Sequence, residues 1–233
     1  GRGFVKFQER PIFDQIILAD EIKRATPKSQ PALLEAMQEQ KVTVAGVSYN
    51  LKLPFFVLAT QNPIEMEGTY PLPEAQVDRF FFKLKVGYPT PSDLREIVDR
   101  TTVKELPTPS KVIDGDELRR IQLLIRKMPV ASHVVDYAVR LILATQPQSP
   151  FATEKIKKYV RYGSSPRGVQ TLIAAAKVKA FRKGRFNVSF DEVREVALPS
   201  LRHRILLNFE GEAEEIDPDE LVNDVVNSTP ERT

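Results

Sequence analysis

Cysteine is absent from the 233 residues. Disulfides, thiolate metal sites and a cysteine nucleophile are therefore excluded, and a reducing compartment, the cytoplasm, is the expected location. No apolar run approaches the roughly 18 residues that a membrane-spanning helix needs, and no signal-peptide pattern opens the chain. Histidine occurs only as His133 and His203, too few and too isolated for a metal site, so both read as structural. Glycine is sparse: ten residues never cluster as a phosphate cradle would need, and G-x-x-x-x-G-K-[ST] does not occur. Internal repeats are missing as well. What is present is ordinary for a soluble globular protein, 42% hydrophobic and 28% charged. The length suits one large domain or two smaller ones with a real core.

The net charge of +3 is too small to attract polyanions to the whole molecule, but its distribution is uneven. Lys155 to Arg185 holds ten basic residues and no acid, whereas Glu210 to Asp224 holds eight acids and no base. Such runs are usually solvated faces. The sharper readings are a nucleic-acid footprint for the basic run, or a match between the two runs across subunits.

The chain divides near Tyr88. Before it, "IILA" at 16–19, "FFVLAT" at 55–60 and "FFFKLKV" at 80–86 read as strands buried on both faces, because each is continuously apolar. Leu33, Leu34 and Met37 carry helical spacing, with Ser29 or a neighbour as the cap, and "KVTVAGVSYNL" reads as a hairpin about Gly46. This alternation predicts a mainly parallel α/β sheet. Beyond Tyr88 the periodicity turns helical: 93–101 with Ser92 as its cap, then "DGDELRRIQLLIRKM", "VVDYAVRLILATQ" and "SPRGVQTLIAAAKVKAF". The tail after Ser228 is expected to fray.

Several polar positions could carry chemistry. "IILADE" ends a buried strand in two adjacent carboxylates, Asp20 and Glu21. Strand ends often carry acids simply because they meet solvent. In an open α/β sheet, however, the carboxyl tip of a parallel strand is where ligands bind. One acid there can hold Mg²⁺, usually through water, and the second can orient an attacking water. "FFVLATQNP" ends in Gln61 and Asn62, and a neutral amide at that tip can hold a water or a phosphate oxygen; Asn62 is equally at home as a turn former before Pro63. Arg79 follows Asp78 directly, which makes either a weak surface ion pair or a cation placed against a phosphoryl group. Arg167, in "GSSPRGVQ", falls at the first turn of a helix, where it opposes the helix dipole and so suggests an anion-facing task.

Taken together, "PIFDQIILADEIKRATPKSQPALLEAMQE", "VTVAGVSYNLKLPFFVLATQNP", "EGTYPLPEAQVDRF", "SPRG" and "LRHRI" resemble the MoxR family of AAA+ ATPases, relatives of the magnesium-chelatase ATPase subunits. The resemblance runs from Phe4 to Val226. It implies a partial AAA+ core, a parallel sheet with flanking helices over 1–88, followed by an all-helical lid over 89–233. It implies ATP and Mg²⁺ as cofactors, with Asp20 on the metal, Glu21 activating water, Asn62 as sensor 1, Arg79 as arginine finger and Arg167 as sensor 2. "GRGFVKF" becomes the end of the helix-2 insert and "KVTVAGVSYNLKL" the pre-sensor-1 hairpin. The implied activity is ATP hydrolysis that remodels partner proteins, by a homo-oligomeric ring, a hexamer, acting on protein substrates such as a von Willebrand factor A domain protein. Two positions depart from the family pattern, Arg10-Pro11 where it has Gly-Pro and Lys23-Arg24 where it has Asn-Arg. The family also carries a phosphate loop upstream, so the chain is expected to be a MoxR-type protein without its N-terminal third, inactive alone. The alternative within ATP-driven motors is a metal-chelatase ATPase subunit; those from other classes are a nucleic-acid-binding helical domain and a non-catalytic interaction module.

Overall fold

A computed structural model describes residues 11–26, 29–44, 46–62, 70–103 and 108–231. The stretch proposed as the helix-2 insert end, 1–7, lies outside the described residues. Strand β1 (Ile16–Ala19) runs into a 3₁₀ turn at Ile22–Arg24 and then helix α1 (Ser29–Glu39). Strands β2 (Lys41–Val44) and β3 (Val47–Asn50) form the expected hairpin, Val44 opposite Val47. Its turn holds Gly46 at φ +83°, a conformation glycine takes without steric cost. Strand β4 (Phe56–Ala59) returns beside β1 in parallel, with Ala19 opposite Ala59.

The parallel pairing agrees with the α/β expectation, but two details of the sheet do not. Ile16 and Leu18 on β1, and Phe56 and Leu58 on β4, are exposed by about half or more, so only one face of the pair is covered among the described residues. "FFFKLKV" forms no strand: 80–86 has no regular secondary structure, with Leu84 and Val86 in solvent and no ladder partner among the described residues. A strand is stabilised by its neighbour, so an apolar run without one stays a loop.

After the short α2 (Glu74–Val77), the chain is helical: α3 (Pro91–Thr101), α4 (Gly115–Arg126), α5 (Ser132–Ala144), α6 (Glu154–Tyr159), α7 (Pro166–Arg182), α8 (Phe190–Glu195), α9 (Ala197–Leu201), α10 (Phe209–Ala213) and α11 (Pro218–Ser228). A two-stranded ribbon of β5 (Val160–Tyr162) and β6 (Leu206–Leu207) joins α6 to the α10 region. The cap of α3 is Thr90 rather than Ser92: Thr90 and Asp93 form a reciprocal capping box with Pro91 at the first turn. The core lies among α5, α7, α9 and α11, where Tyr137, Leu141, Leu172, Leu201 and Leu221 are fully buried. The stretch beyond Ser228 is held as far as Glu231: Arg140 donates to the carbonyls of Pro230 and Glu231, and Arg194 pairs with the Glu231 carboxylate. Two guanidinium groups bind it, which corrects the frayed-tail expectation.

Among the described residues the two charge runs form ion pairs with each other at Lys158 alone. Lys158 pairs with Glu210 and Glu214, while Lys179, Lys183 and Arg185 pair with Glu192 or Glu195. Three of the basic residues are thus answered by acids between the two runs, and Asp217 and Asp219 of the acidic run by Lys85 and Arg202.

Candidate active site

The parallel register sets Asp20 beside Thr60, one residue past the Ala19–Ala59 pair. The Thr60 hydroxyl accepts the Glu21 backbone N–H at 2.8 Å and donates to the Asp20 carboxylate. Glu21 adopts a left-handed backbone, φ 49° and ψ 53°, that costs a non-glycine residue about 1 kcal/mol or more. That kink lies between the end of β1 and the start of the 3₁₀ turn. Asp20 is exposed; Glu21 is partly exposed, its carboxylate 2.9 Å from the Arg24 guanidinium. Asn62 lies two residues past Thr60 on the same strand exit, also exposed.

Among the described residues no three acidic or histidine side chains gather as a metal cage. The donors at the β1–β4 tip are nonetheless hard oxygens, a carboxylate beside a hydroxyl. They fit Mg²⁺, which keeps several waters and takes few protein ligands when phosphate supplies the rest.

The two sequence-predicted arginines meet at a different place. Arg79 and Arg167 line one cleft of about 280 Å³ with Phe81, Gln170, Thr171 and Arg204. Arg79, exposed on the turn after α2, donates from Nη1 to the Gln38 side chain of α1. The Arg79–Asp78 surface pair therefore does not form. The Asp78 carboxylate instead accepts from Arg167 Nη1 at 2.9 Å, Ser165 Oγ at 2.9 Å and Arg204 Nε at 3.0 Å. Burial pushes its pKa up, but the hydrogen bonds from Arg167 and Ser165 and the Arg204 charge outweigh that and hold it below the usual carboxylate value. Ser165 also caps α7 by accepting the Arg167 N–H at 3.2 Å. Gly168 lets this helix start pack closely, since a Cβ there would strike Ser164 and Ile142. The anion facing Arg167 is thus Asp78 of the same chain.

Three partners were missed by sequence reasoning: Thr60, Ser165 and Arg204. Thr60 could have been found by carrying the β1–β4 register one residue onward. The other two are separated from Asp78 by 87 and 126 residues, and no local signal marks them.

His203 agrees with its structural reading. It is 6% exposed, and its Nε2 lies 3.0 Å from the Phe80 carbonyl, to which it donates in the neutral form. Burial, and then the Arg204 charge, lower its pKa from 6.5 to about 4. The unfolded chain therefore takes up this proton first as pH falls. Its contribution to stability is complete above pH 6.5 and is lost progressively toward about 4. Urea midpoints should show roughly 2–3 kcal/mol lost through this group between about pH 7 and about pH 4.5. His203→Gln, whose amide can still donate to Phe80, should lose correspondingly less than the wild type. Equal losses in the two proteins would mean that His203 protonates freely in the folded state.

Comparison with known proteins agrees with this architecture. A family model described as "ATPase family associated with various cellular activities (AAA)" matches residues 2–82, and an AAA lid domain model matches 153–225. The fold is therefore that of an AAA+ ATPase core with its lid. The chain is 43% identical over 218 residues to the chaperone MoxR1 of Mycobacterium tuberculosis, covering 94% of this chain and 58% of that protein. It is 38% identical to the uncharacterized protein YeaC of Bacillus subtilis, covering 96% of this chain and 67% of YeaC. A crystal structure of a candidate ATPase from Cytophaga hutchinsonii superimposes with a TM-score of 0.91 at 38% identity, covering 96% of this chain and 68% of that one. The chain belongs to the MoxR family of AAA+ ATPases. It spans 58% of the length of MoxR1 and about two thirds of the other relatives.

Proposed function

We propose that the whole protein couples ATP hydrolysis to the remodelling or activation of partner proteins, working as a cytoplasmic ring with a core over 1–88 and a lid over 89–233. The observation that supports this reading is the Thr60 bridge, which ties the Asp20 carboxylate to the Glu21 backbone at the tip of the β1–β4 pair. Asp20 would hold Mg²⁺, the ion supplying charge neutralisation beside the ATP phosphates. Glu21 would accept the proton of the attacking water, and Asn62, on the same strand exit, would orient that water or a phosphate oxygen. Arg79 would meet the phosphoryl group bound by the neighbouring subunit, and Arg167 would leave Asp78 to take up nucleotide phosphate. Partners of the von Willebrand factor A type fit this reading. A metal-chelatase ATPase subunit is the second reading, because it would use the same side chains and differ only in its partner.

Phosphate affinity in such enzymes comes mainly from a backbone N–H cradle and a lysine. The 233 residues contain no sequence of that kind. Calorimetry should therefore find no measurable ATP binding to this chain alone and clear binding to the whole protein. Micromolar affinity in the isolated chain would mean that other residues build the phosphate site, and would overturn the assignment of roles given above.

A further inference from the structure

The "LRHRI" motif turns three basic side chains toward one stretch of backbone. Arg202 donates to the Lys83 carbonyl at 3.2 Å, and His203 to that of Phe80 at 3.0 Å. Arg204 does most. Its Nη2 donates to the carbonyls of Asp78 and Phe80 at 3.0 and 2.9 Å, and its Nε to the Asp78 carboxylate. Its Nη1 donates to the Ser200 carbonyl at the end of α9. Those first two carbonyls flank Arg79, so one nitrogen holds the backbone on both sides of the residue. The same guanidinium reaches Arg167 through the shared Asp78 carboxylate.

Arg204 is 4% exposed. Burying a guanidinium is expensive, and replacing a buried ion pair by apolar packing is often neutral or stabilising. Stability alone is thus a poor reason for a charge at this position. What arginine adds is a rigid planar fork with donors in fixed directions, which neither lysine nor an apolar side chain reproduces.

The geometry points to Arg204 as a positioning residue: it fixes where Arg79 projects. This inference depends on the reading of Arg79 as the cation that meets phosphoryl charge. Misplacing a catalytic cation by about 1 Å can cost on the order of 10²-fold in rate. Arg204→Lys keeps the charge and removes the fork, while Arg204→Gln keeps two donors and removes the charge.

The test is steady-state ATPase kinetics of the whole, assembled protein, with radiolabelled ATP so that very slow rates remain readable. Wild type, Arg204→Lys, Arg204→Gln, Arg79→Ala and the double variant Arg79→Ala/Arg204→Lys are compared after melting and size-exclusion controls. We expect Arg204→Lys to lower kcat by about 10- to 100-fold with the KM for ATP changed by less than about twofold. In the Arg79→Ala background the same substitution should cost less than about twofold more, because residues acting as one unit are not additive. A folded, assembled Arg204→Lys or Arg204→Gln protein with wild-type kcat overturns the proposal. So do losses that multiply in the double variant, since Arg204 would then act independently of Arg79. If neither Arg204 variant folds, the residue is structural and the proposal fails. Wild-type turnover by Arg79→Ala would sink the underlying role of Arg79, and this inference with it, which separates that failure from a failure of positioning alone.

Discussion

Arg79→Ala should leave the ATP affinity of the whole protein within about threefold and lower its turnover by on the order of 10³ or more. The charge that an arginine finger answers develops on the phosphoryl group as it is transferred, so the loss falls on kcat rather than on binding. The setting of Arg79 suits that task. Its backbone is held on both sides by Arg204, whereas its side chain is exposed and meets the neutral amide of Gln38 rather than Asp78. Asp78 is already engaged by Arg167 and Arg204, which leaves the Arg79 charge without that neighbouring carboxylate. Such a cation costs little to redirect toward a phosphate. The checks are ATP affinity by calorimetry and turnover by phosphate release, with size exclusion to confirm assembly. Turnover at the wild-type level would reduce Arg79 to a surface contact of α1.

Glu21→Gln should keep ATP binding and lower turnover by about 10²–10⁴, the range that a positioned general base contributes. Glutamine matches glutamate in size and removes the proton acceptor. The substitution also removes the Glu21–Arg24 ion pair, but that pair is substantially exposed and worth little to stability. Melting temperature should therefore stay close to that of the wild type while activity collapses. The Thr60 contact survives, since it uses the Glu21 backbone N–H and not the carboxylate. Unchanged turnover would return Glu21 to the ordinary role of an acid at a strand end.

Much of this arrangement is legible in the sequence, for physical reasons that also mark the boundary of what is not. The hairpin over 41–51 needed only two β-rich halves and a glycine able to take φ > 0, and Gly46 does. The helices α5 and α7 declared themselves by spacing, because a 3.6-residue repeat is a local property. "FFFKLKV" has the composition of a strand, yet strand pairing depends on a neighbour that its own residues do not specify. Ile16, Leu18, Phe56 and Leu58 present the same limit: continuous apolarity shows that both faces can be buried, not what covers them. The cap of α3, by contrast, is a local feature that the sequence does carry. "TPSD" places the threonine three residues before the aspartate, and the capping box uses that pair. At the site, Asp20, Glu21 and Asn62 were visible as polar residues at strand tips, and Arg167 as a cation at the wrong end of a helix. Nothing local marks Arg204, because the Asp78 and Phe80 groups it holds lie more than 120 residues away along the chain.

In the proposed mechanism Glu21 and Arg79 serve one reaction from two different subunits. Mixing tests it most directly. Whole protein carrying Glu21→Gln is titrated with whole protein carrying Arg79→Ala at a concentration where rings assemble, and ATPase rate is measured against mixing ratio. Each single variant is nearly inactive, but in a mixed ring some interfaces unite an intact Glu21 with an intact Arg79 from the neighbour. A site shared between subunits should give a bell-shaped rise with its maximum at intermediate ratios. A flat line across all ratios, with mixed rings shown to form, would contradict it, because two groups that serve the same subunit's site cannot be restored by any mixture.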